Sequence, residues 1–376
     1  MKKQGRKVLI LAIMVCSLGL FSMGCSIQGN EVVATLDGED VTLDIINLYS
    51  RINQAAFETN YGPMFGEDMW SMDLSGNGVP YEAIVKSEWL QEMQVKLLAE
   101  KKAPEYNVSL TDEDYARIDE VAEAFLAAND KAALKGMSAT KKSVTRLLEL
   151  MTIDTKVYKA IIDTLAIEVT DEEVAQTTIA YVTFQNAKKT NEAGETVDLT
   201  DEEKVEVRQK ADNILARAKE TGDFEAAVAE IDSSLTVHKA NYGVDNTTIL
   251  EVLKESVVGL NDGEFADIVE TETATYVVQL VTTYDVEATE SVRENLIQTR
   301  KTEGYSEIIG TWLEEAEFEV HSRRFARIQF INNSFKVKVV ETEAETLGTQ
   351  IEIGDTTDDT EVSSTEESES EVVPVG

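Results

Sequence analysis

Histidine and cysteine are almost absent from this chain, and their scarcity removes whole classes of chemistry. His238 and His321 are the only two histidines and stand far apart, with no second ligand at metal spacing. A serine or cysteine nucleophile therefore lacks a histidine base nearby in the sequence. The two cysteines, Cys16 and Cys25, allow no disulfide framework, so stability rests on burial. Positive charge is also short, with 34 Lys and Arg against 71 Asp and Glu and a net charge of -37. No basic stripe is available to neutralise phosphates, which excludes nucleic acid as a partner. Such a surface attracts cationic chains at long range, and equally keeps a protein soluble. No glycine-rich phosphate loop follows a strand. The stretch from Asp73 to Gly78 looks like the start of a calcium loop, but the twelfth position, which needs a bidentate glutamate, is Ile84. No metal and no cofactor is expected. The composition, 43% apolar, is enough for two ordinary cores.

The long apolar run, Val8 to Met23, follows Lys2, Lys3, Arg6 and Lys7 and is too short for a stable span with stop-transfer flanks. It ends Phe21, Ser22, Met23, Gly24, Cys25, which resembles the lipobox of bacterial lipoproteins, with Ser22 where leucine is usual. The resemblance implies a lipoprotein signal peptide over 1–24, a diacylglycerol on Cys25, a tether over 25–30, and an extracytoplasmic protein anchored to the bacterial cell membrane. An ordinary secretory signal or an uncleaved helix is the alternative.

Residues 31–169 read as a helical module. A hairpin is predicted at Asp37 and Gly38, then a helix capped by Thr42 with Ile45, Ile46, Leu48, Tyr49 and Ile52 apolar. Asn60 to Pro80 reads as a loop rich in Gly, Met and aromatics. Its Met64, Phe65, Met69 and Trp70 are candidates for client binding or for covering the core. From Tyr81 the spacing of Val85, Trp89, Met93 and Leu97 predicts a helix that Pro104 stops. Thr111 with Asp114 opens another as a capping box, and Ser138 to Leu165 is a third. The opening hairpin and helix, and the phrase around Thr111, resemble the chaperone domain of the SurA and PrsA families of exported foldases.

Thr178 to Tyr284 begins and ends with strands, Ile179 to Phe184 and Thr275 to Val281, and holds two helices between them. That order, with Leu260, Asn261, Asp262, Gly263 before the last strand, resembles a parvulin-type peptidyl-prolyl isomerase domain. The resemblance places Tyr181 and Tyr276 where the family has its two histidines, and Asp232 where it has cysteine or aspartate. It places Ile249, Leu253 and Val258 around the proline pocket. The two tyrosines equally suit a half-buried strand as packing residues.

Beyond this stretch, Ser291 to Glu315 is predicted helical, and short strands are expected at Phe318 to Val320 and Phe335 to Val340. The basic patch His321 to Arg327 departs from the family wording and has no assigned role. Residues 341–376 contain no Lys or Arg and are expected to be a disordered acidic tail. The fold class expected is α+β: a helical chaperone module (31–169, completed by 286–340) with a small parvulin-like domain (170–285) inserted. The function the resemblance implies is a membrane-anchored foldase or chaperone that binds unfolded exported polypeptides, its membrane contact being the N-terminal lipid. Its isomerase activity is weak or lost. An active peptidyl-prolyl isomerase is one alternative. A structural or solute-binding lipoprotein is the other, and it would show doubly wound βαβ repeats, which are not apparent here.

Overall fold

The computed structural model describes residues 15–18, 30–66, 68–190, 194–331 and 335–338. Cys25, most of the leader and tether, and the acidic tail lie outside the described residues. The fold is α+β. In chain order it begins with β1 (Val15–Leu18), β2 (Val32–Leu36), β3 (Glu39–Thr42), α1 (Leu43–Phe65), α2 (Tyr81–Lys102), α3 (Asp112–Ala128), α4 (Lys131–Gly136) and α5 (Lys141–Thr164). It continues with α6 (Asp171–Val174), β4 (Thr177–Gln185), β5 (Lys188–Thr190), β6 (Thr196–Asp198), α7 (Asp201–Thr221), α8 (Phe224–Ile231), β7 (His238–Tyr242) and α9 (Glu251–Ser256). Last come β8 (Val269–Glu270), β9 (Ala274–Thr282), α10 (Val286–Glu315), β10 (Phe318–Val320), α11 (Ser322–Phe325) and β11 (Phe335–Lys338). By packing, the chain divides into two units. One comprises Met1–Met93, Thr111–Glu149 and Glu319–Gly376, the other Gln94–Leu110 and Leu150–Phe318.

In the first unit, β2 and β3 turn through Asp37 (φ 48°) and Gly38 (φ 81°). Both residues are left-handed, as a two-residue hairpin turn of this twist requires. β10 lies beside β2, giving the order β10-β2-β3, while β1 pairs antiparallel with β11. Thr42 stands at the N-cap of α1 without a side-chain cap bond, whereas Thr111 and Asp114 form the expected capping box of α3. The region 60–80 differs from its expectation as a loop. α1 runs on through Pro63 to Phe65, and Met69–Ser71 forms a short 3-10 turn.

α1 carries three buried faces. One is a row of Asn47, Arg51, Gln54 and Glu58; the others flank it and are apolar, with Leu43 and Ile46 on one side and Leu48 on the other, all out of solvent. The row's spacing of four, three and four residues puts its four members on one stripe. Arg51 Nη1 donates to Gln54 Oε1 (2.6 Å), Gln54 Nε2 to Glu58 Oε1 (2.6 Å), and Trp70 Nε1 to Glu58 Oε1 (2.7 Å). Burial pushes the Arg51 guanidinium down to about 10, against the pull of Glu82 and Glu58 upward. It stays charged at neutral pH, balanced by carboxylates as a buried cation must be.

The stretch after β10 is threaded onto this unit. Arg324 Nη1 donates to the Val32 carbonyl (2.6 Å), and Arg327 pairs with Glu31. The basic patch without a role in the sequence thus fastens the returning chain to β2 and its approach. Phe330 and Phe335 are buried. The Phe330 N–H donates to Glu82 Oε1 (2.9 Å) and the Phe335 N–H to Glu58 Oε2 (3.0 Å).

In the second unit β7, β4, β9 and β8 form a four-stranded sheet in that order, every pairing antiparallel. Alternation along β4 divides its side chains between two cores. Ala180, Val182 and Phe184 pack with Ala211, Ile214 and Ala218 of α7 and Phe224, Ala227 and Val228 of α8. Ile179, with Tyr276, Val278 and Leu280 of β9, packs with Leu253 of α9, Val257 and Ala266. α7 starts at a capping box, Thr200 with Glu203, and ends at Gly222 (φ 74°), which supplies the left-handed cap.

α10 begins at Val286, five residues before the expected start, because Asp285 caps it by accepting from the Ala288 N–H (3.0 Å). Its Arg293 donates to the Val169 carbonyl (3.3 Å) and to Asp171 (2.6 Å), and Arg300 pairs with Glu173. The Arg300 guanidinium and the Thr170 N–H hold the Glu173 carboxyl down at about 2. A Cβ on Gly304 would stand 3.1 Å from Leu165, so glycine lets α10 pass close to the chain after α5.

Candidate functional site

The site builds on the sheet face that carries odd-numbered residues of β4. Tyr181 lies opposite Val278 on β9, and Thr183 opposite Tyr276, so the two tyrosines are diagonal neighbours across one strand pair. Their rings meet edge to face with centroids 6.3 Å apart. The structure therefore brings together the two residues that the sequence placed at the isomerase positions. Tyr276 is only 8% exposed, and its hydroxyl is pushed above its ordinary range by burial and then by the neighbouring Tyr181. It remains a neutral donor at neutral pH. Neither hydroxyl hydrogen-bonds to another described residue.

A third ring joins them that sequence reasoning had set aside. β7 pairs with the other edge of β4 in a register that sets His238 opposite Tyr181, with ring centroids 5.8 Å apart. The signal was present in the alternation His238, Ala240, Tyr242 just before Gly243. It was hidden because a histidine alone in sequence carries no information on which strand it will face.

Leu253 lies in the same apolar cluster and Ile249 packs against it. Val258 is displaced from its expected place. It is 80% exposed, and its neighbour Val257 points inward at 4%. The count from Leu260 was one residue out at the end of α9, where consecutive side chains point in different directions.

Asp232 caps the C-terminus of α8. One oxygen accepts from the Ser234 N–H (3.1 Å) and hydroxyl (2.5 Å), the other from Lys210 Nζ (2.9 Å). Ser234 first, then Lys210, hold its carboxyl at about 2. Its hydrogen bonds thus go to Ser234 and Lys210, and none of them reaches Tyr181 or Tyr276.

The four residues offered as client contacts divide between surface and core. Met64 is 75% exposed at the end of α1 and Phe65 is half-buried, but Met69 and Trp70 are 1% and 3% exposed. Trp70 stacks on Tyr81 (5.9 Å) and meets Phe330 (5.0 Å), so this pair covers the core, which the sequence had left open.

A depression of ≈ 500 Å³ lies elsewhere, between the β5-β6 hairpin and α7, lined by Lys188, Lys189, Glu203 and Lys210 among others. Glu203 neutralises Lys189 and Asp232 neutralises Lys210, so it offers little to an anion. Among the described residues no group of three or more His, Cys, Asp or Glu is placed to hold a metal, and no helix is long and apolar enough to cross a membrane.

No protein-family model matches the chain, and no curated protein matches it. Its structural neighbours are foldases and chaperones of the PrsA and SurA kind. The foldase protein PrsA of Lactococcus lactis is 15% identical, with 79% of this chain and 97% of that one covered and a TM-score of 0.32. The SurA-like chaperones PEB4 and Cj1289 of Campylobacter jejuni are represented at 12% identity, 77% and 99% coverage and a TM-score of 0.24. The peptidylprolyl isomerase PrsA of Bacillus cereus is 14% identical over 66% and 93%, at 0.27.

Proposed function

We infer that this chain is an extracytoplasmic folding factor, held to the membrane by lipid on Cys25, that binds unfolded exported polypeptides. In this reading residues 31–169 with 286–340 form the client-binding module, and 170–285 form a parvulin-like domain whose isomerase activity is weak or lost. The observation that carries it is the tyrosine pair. Tyr181 and Tyr276 meet over an apolar cluster at the two positions where the resembling family has histidines. Rotating an X-Pro amide requires no covalent chemistry, only a surface that favours the twisted amide across an ~18–20 kcal/mol barrier. Two tyrosine hydroxyls over an apolar cluster supply apolar contact and hydrogen-bond donors for a peptide, and little more. The solute-binding alternative fits poorly, since the β7-β4-β9-β8 sheet is antiparallel throughout and holds no βαβ crossover.

The chain from Ser26 is expected to suppress aggregation of a chemically unfolded protein in proportion to its concentration. Light scattering unchanged at a molar excess of folded chain rejects the chaperone reading.

The second reading, an active isomerase, is favoured by one observation: neither tyrosine hydroxyl bonds to another described residue, and the His238 ring adjoins Tyr181. If the hydroxyls donate to the rotating amide, Tyr276→Phe removes one hydrogen bond of about 0.5–1.5 kcal/mol, a loss of about 2- to 10-fold in rate. Proline-limited refolding measures it. Turnover untouched by Tyr181→Phe with Tyr276→Phe places the site elsewhere.

A further inference from the structure

From His321 to Val340 the sequence carries no carboxylate, although the chain as a whole has 71 acids. Arg323, Arg324, Arg327, Lys336 and Lys338 punctuate it, with Phe325, Phe330 and Phe335 between them. A cationic, aromatic stretch in an acidic protein is what an acidic client-binding surface would draw from solution.

Where this stretch sits is equally informative. Phe330 lies between Trp70 (5.0 Å) and Trp89 (5.3 Å), and the Arg51 guanidinium covers both Phe330 (5.5 Å) and Phe335 (5.0 Å). The polar contacts are of an unusual type. Glu82 and Glu58 accept from the backbone N–H groups of Phe330 and Phe335, not from side chains. Every residue except proline offers that donor, so these two carboxylates bind a backbone without reading its sequence. Aromatic identity is selected by Trp70, Trp89 and Arg51. Without the segment Glu58 keeps Gln54 and Trp70 and Glu82 keeps Lys86, but each loses a backbone donor and the rings of Trp70 and Trp89 lose their apolar cover, so the groove favours an occupant. It is filled either by this chain's own segment or by another of the same chemistry.

We propose that the groove of Arg51, Glu58, Trp70, Glu82 and Trp89 is a client site, occupied at rest by the chain's own residues around Phe330 and Phe335. Its incoming occupant is an extended, cationic, aromatic-bearing polypeptide that displaces them. The proposal rests on the chaperone reading and names the client chemistry for it. Self-occupancy keeps Trp70 and Trp89 covered when no client is present. Tethering gives the resident segment an effective concentration on the order of millimolar, so only chains offering several such stretches, or a high concentration of one, exchange with it.

The test uses the full mature chain and a synthetic peptide of residues 321–338, titrated to about 5 mM against that tethered advantage, with a second peptide in which its three phenylalanines are alanine. Amide hydrogen exchange is read at Phe330 and Phe335, with the β4-β9 sheet as internal reference. The expected result is a rise of at least tenfold in exchange at those two amides with the first peptide, little change with the second, and a steady reference. Binding of the first peptide with no change at Phe330 and Phe335 overturns the proposal, because the segment is then fixed core. Suppression of aggregation by a chain that ignores the peptide also overturns it and leaves the chaperone reading standing. Failure to bind both peptide and unfolded protein removes the two together.

Discussion

Glu58→Ala is expected to destabilise the first unit by about 3–5 kcal/mol, the cost of removing one partner from a buried charge network. Three donors lose their acceptor at once: Gln54 Nε2, Trp70 Nε1 and the Phe335 N–H. Arg51, 4% exposed, is left with less compensating negative charge. Glu58→Gln keeps the shape and one carbonyl acceptor, so its cost should fall between wild type and alanine. Urea unfolding followed by tryptophan emission measures both, since Trp70 and Trp89 lie in the affected unit. A loss under about 1 kcal/mol for the alanine variant would mean that the network is solvated and worth no more than a surface pair.

The second large effect concerns the anchor. If Cys25 carries a diacylglycerol, Cys25→Ala removes chains that contribute about 0.8 kcal/mol per buried CH₂, and membrane attachment should disappear. The variant is expected in the soluble fraction, or retained as an unprocessed precursor of higher mass. Membrane fractionation with a mobility comparison separates these outcomes. A Cys25→Ala protein that stays membrane-bound at wild-type mobility refutes the lipid anchor.

What could be read from the sequence follows the periodic, local signals. The strands at Ile179 and Thr275, the capping boxes at Thr111 and the turn at Asp37 and Gly38 announce themselves within a few residues, and all formed. Tyr181 and Tyr276 were singled out by the family resemblance, strand matched to strand, and their meeting depends on register. What stayed hidden needs long-range pairing. The stripe Asn47, Arg51, Gln54 and Glu58 reads as an ordinary solvated face, because polar residues at helical spacing usually are one. Only the return of Phe330 and Phe335, more than two hundred residues later, turns it inward. His238 was hidden by the same limit, its partner strand being fixed by the sheet and not by its neighbours. The Gly, Met and aromatic content of residues 60–80 misled in the other direction, since it suggests a loop, yet α1 continues through Pro63 to Phe65.

The first unit is assembled from three stretches of chain, the last of them starting at Glu319. This has a consequence in time. A polypeptide that emerges from the ribosome amino end first presents α1, Trp70 and Trp89 long before Phe330 and Phe335 arrive to cover them. Contacts this far apart in sequence form late and slowly. Until they arrive the chain leaves Trp70 and Trp89 uncovered, and is for that interval itself an unfinished polypeptide with exposed apolar surface, open to aggregation.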